Sequence, residues 1–164
     1  MRIALAALIL AMTLPAAGAA ETPKLDLLSF FEGRTRGVGV LDPLIGKTRR
    51  FEVASVGVPQ ADGSLVVTQL IRWADGETDE RTWRMRRTGA NTFEGAVSDG
   101  KGAARGVSTG ASGRLSYVLD KGPGVRMEHR MVLQPDGRTV VQQVRASVFG
   151  LPAASLSETI TREP

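Results

Sequence analysis

The feature that most constrains this chain is a long series of apolar/polar ladders cut at short intervals by turn residues. Residues 34–41, 48–58, 65–73, 79–87, 92–97, 103–109, 114–120, 124–133, 139–149 and 154–162 each read as a strand. Alternation sends successive side chains to opposite faces, so each segment has one face for a core and one for water. Val125, Met127, His129, Met131 and Leu133 make the cleanest ladder, with Arg126, Glu128 and Arg130 opposite. Asp75-Gly76, Ser112-Gly113 and Pro135-Asp136-Gly137 are hairpin-type turns between such runs. Connections this short cannot cross over, so sequence neighbours pair antiparallel. The pattern predicts an all-β, antiparallel up-and-down barrel of about ten strands, which removes its own edges. A two-sheet sandwich, the rival, usually needs longer Greek-key connections. Before the strands lies one helix-like stretch at 24–33, where Leu27, Leu28, Phe30 and Phe31 share an apolar face and Gly33 ends the turn. It is too short to hold together without docking on the strands.

Residues 1–20 read differently. Arg2 is followed by a mostly apolar run to Leu14, then by Pro15 and the small residues Ala16, Ala17, Gly18, Ala19 and Ala20. This predicts a secretory signal peptide cleaved near Ala19 or Ala20, leaving a single domain at 21–164. The expected location is the periplasm, or the medium outside the cell. The chain has no cysteine, so an exported domain folds without disulfides and has no thiol for lipid attachment. Its length suffices for a core without such staples. The formal charge of +4 comes from 21 Lys and Arg against 17 Asp and Glu. That balance is too mild for a nucleic-acid footprint, and the arginines are scattered as solvated strand faces scatter them. Peripheral contact with anionic headgroups is compatible with the same charge.

The inward ladders contain five polar or ionisable side chains: Gln69, Arg81, Tyr117, His129 and Glu158. A buried charge needs a partner, so Arg81 and Glu158 are expected to pair with each other or with a ligand. His129 is the single histidine and, with no cysteine beside it, does not predict a metal site. Gly106-Val107-Ser108-Thr109-Gly110 matches the Gly-x-Ser-x-Gly of hydrolases by letters alone, since it lies between strands rather than at a strand-to-helix turn. Gly100-Lys101-Gly102 lacks the spacing and the helix of a phosphate loop. No catalytic residue or cofactor is assigned. Trp73, Trp83, Met85, Met127 and Met131 suit either a core or the wall of an apolar pocket.

Several short motifs in fixed order resemble an uncharacterised bacterial family of small envelope proteins, a domain of unknown function. They are Phe30-Phe31-Glu32-Gly33, Arg49-Arg50-Phe51, Asp75-Gly76-Glu77, Arg81-Thr82-Trp83, Phe93-Glu94-Gly95-Ala96, residues 102–106, Tyr117, Phe149-Gly150 and Ser157-Glu158-Thr159. The resemblance implies a lipocalin-like (calycin-type) barrel over the whole mature chain. It brings no established activity. Such proteins tend to be associated with genes for fatty-acyl modification, which implies a lipid-like ligand. Three features depart from the family: Gln69 stands where an acidic residue is common, His129 falls in a segment that is often acidic-acidic-Trp-Met, and the lipidated cysteine of many members is missing.

These observations lead to one expectation and two alternatives. The expectation is a periplasmic protein holding a small hydrophobic or acyl-chain ligand, with Arg81, Trp83, Tyr117, His129 and Glu158 as ligand-binding residues. The alternatives are an isomerase- or cyclase-type enzyme using His129, Tyr117 or Glu158 as acid or base, and a non-catalytic envelope module.

Overall fold

The computed structural model describes residues 23–164. The signal peptide and cleavage site expected at 1–20 lie outside the described residues. Ten strands follow one short helix: α1 (Leu27–Phe31), β1 (Gly33–Pro43), β2 (Arg49–Pro59), β3 (Leu65–Trp73), β4 (Thr78–Arg87), β5 (Thr92–Val97), β6 (Gly100–Thr109), β7 (Ser112–Leu119), β8 (Val125–Leu133), β9 (Thr139–Val148) and β10 (Leu151–Arg162). Each strand pairs antiparallel with its sequence neighbours, and β10 returns to β1 to close the barrel. The closing seam is regular, running from Thr35↔Arg162 to Pro43↔Ala154. This is the closed antiparallel up-and-down barrel that the alternation predicts.

β7 starts at Ser112, so the turn expected at Ser112-Gly113 lies at Gly110-Ala111 instead, and two strands begin three residues earlier than the alternation suggests. β6 starts at Gly100 rather than at 103, and its pairing with β7 shifts between Lys101 and Arg105, where Gly102 has φ +74°. β10 starts at Leu151 rather than at 154, and its register shifts between Pro152 and Ala154. Proline has no N–H for the ladder, so a bulge beside it is the expected adjustment.

The helix sets which end of the barrel is open. Asp26 caps α1 by accepting a hydrogen bond from the Ser29 N–H, 3.0 Å, and its carboxylate also meets Arg87 on β4. Leu25, Leu27 and Phe30 are buried in the main apolar cluster with Leu65, Met85, Phe93, Met131 and Ile160. The backbone N–H of Leu25 donates to Gly110 O at 2.9 Å, tying the segment to the β6–β7 turn. Close approach needs glycine on the facing wall: a Cβ at Gly57 would stand 1.8 Å from the Phe31 carbonyl oxygen. The opposite end has no such plug among the described residues. It is ringed by the β1–β2, β3–β4, β5–β6, β7–β8 and β9–β10 connections.

Candidate ligand-binding cavity

Between α1 and the open end lies a cavity of about 540 Å³. That is within the range of sites that enclose a drug-sized molecule, roughly 300–1,000 Å³. Toward the mouth its wall is apolar, with Leu41, Phe51, Ile71, Leu119, Met127 and Leu156. Trp73 stands at the rim, edge-on to Phe51 and under the guanidinium of Arg49, and its Nε1 donates to Asp79 at 2.7 Å. Toward α1 the wall is again apolar, with Leu28, Phe31, Leu65, Val67 and Met131. Polar groups occupy a belt between these two zones.

The belt has three parts. On one wall, Trp83 Nε1 donates to Gln69 Oε1 at 2.7 Å, and Gln69 Nε2 donates to Ser55 Oγ at 3.3 Å. On the opposite wall, His129 Nδ1 lies 3.1 Å from Gln142 Oε1, and Gln142 Nε2 donates to Glu158 at 2.9 Å. The direction of the second bond fixes the first. The Gln142 amide nitrogen faces Glu158, so its oxygen faces His129, and the imidazole carries its proton on Nδ1. His129 Nε2 is therefore an acceptor, buried and without a protein partner. The third part is Arg81, whose Nε and Nη2 donate to Asp99 Oδ2 at 3.1 and 2.7 Å. Asp99 Oδ1 is also buried and unpartnered.

The five residues expected from the sequence thus fall into place unequally. Arg81, Trp83, His129 and Glu158 line the cavity. Tyr117 sits just behind them, 5.0 Å from Trp83 and 5.5 Å from His129 between ring centroids, with a buried hydroxyl that has no protein partner. The expected Arg81–Glu158 pair does not form. Arg81 on β4 reaches Asp99 in the adjacent β5–β6 turn, and Glu158 on β10 takes the neutral amide of Gln142 from β9. A short hydrogen-bonded partner on a neighbouring strand displaces a longer reach across the lumen. Room for the Glu158 carboxyl comes from Gly37 on β1, where a Cβ would stand 1.9 Å from Oε1.

Gln142 and Asp99 are site residues beyond the expected set. Gln142 alternates with Val140 and Val144 on β9, so the same period that marks the other ladders marks it as inward. Asp99 lies in a turn, where alternation carries no information.

Burial dominates the protonation of this belt. It pushes Glu158 up to about 7, against smaller opposing effects of the Gln142 bond and the Arg81 charge. It pushes His129 down to about 4, partly offset by the Gln142 bond and reinforced by Arg81. It pushes Tyr117 up to about 12. Near neutral pH the belt therefore holds a neutral imidazole and a Glu158 carboxyl divided between its protonated and ionised forms, beside the Arg81–Asp99 pair and with a neutral phenol behind them. Among the described residues, no cluster of three or more His, Asp or Glu could hold a metal ion. Ser108, of the Gly-x-Ser-x-Gly match, lies within β6 and not at a strand-to-helix turn.

Comparison with solved structures places the fold among lipocalin-like calycin barrels. A phycobiliprotein lyase of the S type from Guillardia theta superposes with a TM-score of 0.64 at 8% identity, covering 84% of this chain and 90% of that one. Rv2717c from M. tuberculosis gives 0.63 at 19% identity, covering 84% and 95%. A protein of unknown function from the DUF3598 family of Nostoc punctiforme gives 0.62 at 14% identity, covering 90% of this chain and 53% of that one. Among curated proteins, none matches the sequence significantly. One family model spans residues 7–162, and the chain belongs to that family, the proteins of unknown function designated DUF3833.

Proposed function

We propose that this protein is an exported carrier that binds one small, largely apolar, uncharged ligand bearing a hydrogen-bond donor. The observation that carries the reading is the cavity of about 540 Å³ whose polar belt, with His129 in its wall, lies between two apolar zones. His129 Nε2 is buried behind that wall without a protein partner; an unmet buried acceptor costs about 1–3 kcal/mol, which a ligand O–H or N–H recovers once the ring turns toward it. Asp99 Oδ1 offers a second acceptor of the same kind. Arg81, the cation of the cavity wall's polar belt, is already held by Asp99, and Lys121 lines the cavity nearer the mouth, in the β7–β8 connection. A carboxylate seated in the belt would therefore meet no available counter-charge there and would bear its desolvation unassisted. The apolar zones above and below the belt receive hydrocarbon on both sides of the donor group. A lipid-like molecule fits that distribution. The Guillardia theta neighbour is a phycobiliprotein lyase built on the same fold. Export rests on the character of residues 1–20 and is part of the proposal.

The geometry weighs less well for acid–base chemistry. His129 and Glu158 are separated by Gln142, whose amide cannot pass a proton between them without leaving its stable tautomer.

Isothermal titration calorimetry with one alkyl chain carrying four different heads tests the reading. The primary alcohol and the primary amide should bind about tenfold or more tightly than the carboxylate and the quaternary ammonium, a difference of one unmet hydrogen bond or one unpaired buried charge. Tightest binding by the carboxylate, or no binding by any of the four, would sink the proposal.

A further inference from the structure

Of the four most exposed large apolar side chains among the described residues, three lie in connections and the fourth, Leu151, opens β10 at the end of the barrel. Leu44 (72% exposed) and Ile45 (91%) are in the β1–β2 connection, and Phe149 (85%) and Leu151 (71%) are at the β9–β10 turn. The two connections are adjacent at the open end of the barrel, joined by the hydrogen bond from Leu44 N to Ala153 O at 2.9 Å. The remaining large exposed apolar residues are valines on outward strand faces, at 37–51%, which is ordinary for a solvated sheet.

Phe149 is also held against local preference. Val148 pairs with Leu151 across a two-residue turn. Phe149 has φ +50° and Gly150 φ +79°, so both central residues are left-handed. That turn favours Asn-Gly or Gly-Gly, and a bulky aromatic at its first central position is strained. The fold gains no burial from this residue in return, since the ring faces solvent. A strained residue that packs against nothing in its own chain points to a role outside it.

Charge identifies the occupant. Lys47 shares the connection of Leu44 and Ile45, and Arg126 faces outward opposite Ser147, two residues before Phe149. Neither has an ion-pair partner among the described residues. Lys121 adds less, because Asp120 is next to it in the chain. Farther round the rim Asp75 and Glu77 hold Arg49 and Asp99 holds Arg81, while Asp42 and Asp79 accept from the neutral Thr48 and Trp73 and keep their charge; beside the apolar tips Lys47, Lys121 and Arg126 outnumber Asp42 and Asp120 by one. Glu80 on β4 is across the barrel from the apolar turns. Apolar tips flanked by unpaired cations are the chemistry of the interface of an anionic bilayer. Two narrow turns with protruding tips do not supply the flat face of ~800 Å² per partner that a stable protein interface uses.

We propose that the open end of the barrel docks on an anionic lipid bilayer, with Phe149, Leu151, Leu44 and Ile45 entering the headgroup region and Lys47 and Arg126 contacting lipid phosphates. The cavity mouth would then face the membrane from which an apolar ligand is drawn. The docking extends the carrier reading, but its test uses no ligand, so either can fail alone.

The test is flotation of the full mature chain with vesicles of equal parts phosphatidylglycerol and phosphatidylcholine, and separately with phosphatidylcholine alone. Wild type should float with the anionic vesicles and lose about tenfold or more in partitioning when salt is raised or phosphatidylglycerol is omitted. Phe149→Asn should weaken partitioning by about tenfold while raising the melting temperature, since asparagine suits the turn. Ile45→Ser should weaken partitioning without affecting the turn, and Val132→Ser, on an outward strand face of β8, should leave it unchanged. Wild type that stays in solution with anionic vesicles, or Phe149→Asn that floats as well as wild type, would overturn the proposal. Equal binding to both vesicle types would overturn its electrostatic part.

Discussion

Gly57→Val is expected to cost about 4 kcal/mol and to release α1 from the end of the barrel. Valine is a better strand residue than glycine, so the strand alone would gain from the change. The loss arises at the helix: the new Cβ would lie 1.8 Å from the Phe31 carbonyl oxygen and 2.8 Å from its carbon, both backbone atoms that cannot rotate away. Relief requires α1 to move outward, and with it Leu25, Leu27 and Phe30, which are 3–7% exposed in the native fold. Full burial of each such side chain is worth about 1.5–3 kcal/mol, and partial retention of contact brings the sum down to the expected figure. Denaturant midpoints give the loss, and hydrogen exchange locates it. The Leu25 amide, bonded to Gly110 O, should lose protection while the β1–β10 seam keeps it. Near-native stability with a protected Leu25 amide would show that α1 is not seated as described.

The second large effect is hidden in the wild type. Glu158 is raised from 4.5 to about 7, so the native state binds its proton more tightly than the unfolded chain and stability falls as pH rises across that window. His129 is lowered from 6.5 to about 4, so the unfolded chain binds its proton more tightly and stability rises with pH across nearly the same window. Each shift amounts to about 3 kcal/mol at about 1.4 kcal/mol per pH unit, and the slopes oppose. In wild type they cancel over most of the interval. Glu158→Gln keeps an acceptor for Gln142 Nε2 and leaves the histidine slope alone, so stability relative to wild type should climb by about 3 kcal/mol from pH 4.5 to 7. His129→Gln keeps a donor for Gln142 Oε1 and leaves the glutamate slope alone, so relative stability should fall by about 3 kcal/mol between pH 4 and 6.5. Differences between chains remove the common contribution of surface carboxylates such as Asp62 and Asp136. Parallel pH profiles for all three proteins would mean that these groups are solvated rather than enclosed in the barrel.

Much of this arrangement is legible in the sequence, for a definite reason. Period-two alternation names the inward face of most strands, and short Gly-containing turns force antiparallel neighbours. The barrel and the inward placement of Gln69, Arg81, Trp83, His129 and Glu158 follow. What alternation does not carry is the stagger of the closed sheet, which decides which inward residues share a level. The Arg81–Glu158 pairing assumed that β4 and β10 meet across the lumen, whereas each side chain finds its partner next door. Asp99 lies in a turn, so its direction depends on the geometry of that turn rather than on any period. Gln142 was within reach of the pattern, set between Val140 and Val144. Phe149 stands out only once its backbone angle is known, because Phe-Gly between strands is an unremarkable pair of letters.

The proposed occupant of the cavity between α1 and the open rim is a small apolar ligand. Native mass spectrometry of the protein purified without detergent from the cells that make it tests this most directly, alongside an Ala146→Trp variant whose indole fills the passage lined by Ala146, Met127 and Leu156. The account predicts one adduct of discrete mass on the wild type, extractable into organic solvent as an uncharged molecule with a hydroxyl or amide group, and its loss from the folded variant. Wild-type protein that is uniformly free of adduct, or an adduct retained in full by Ala146→Trp, would contradict it.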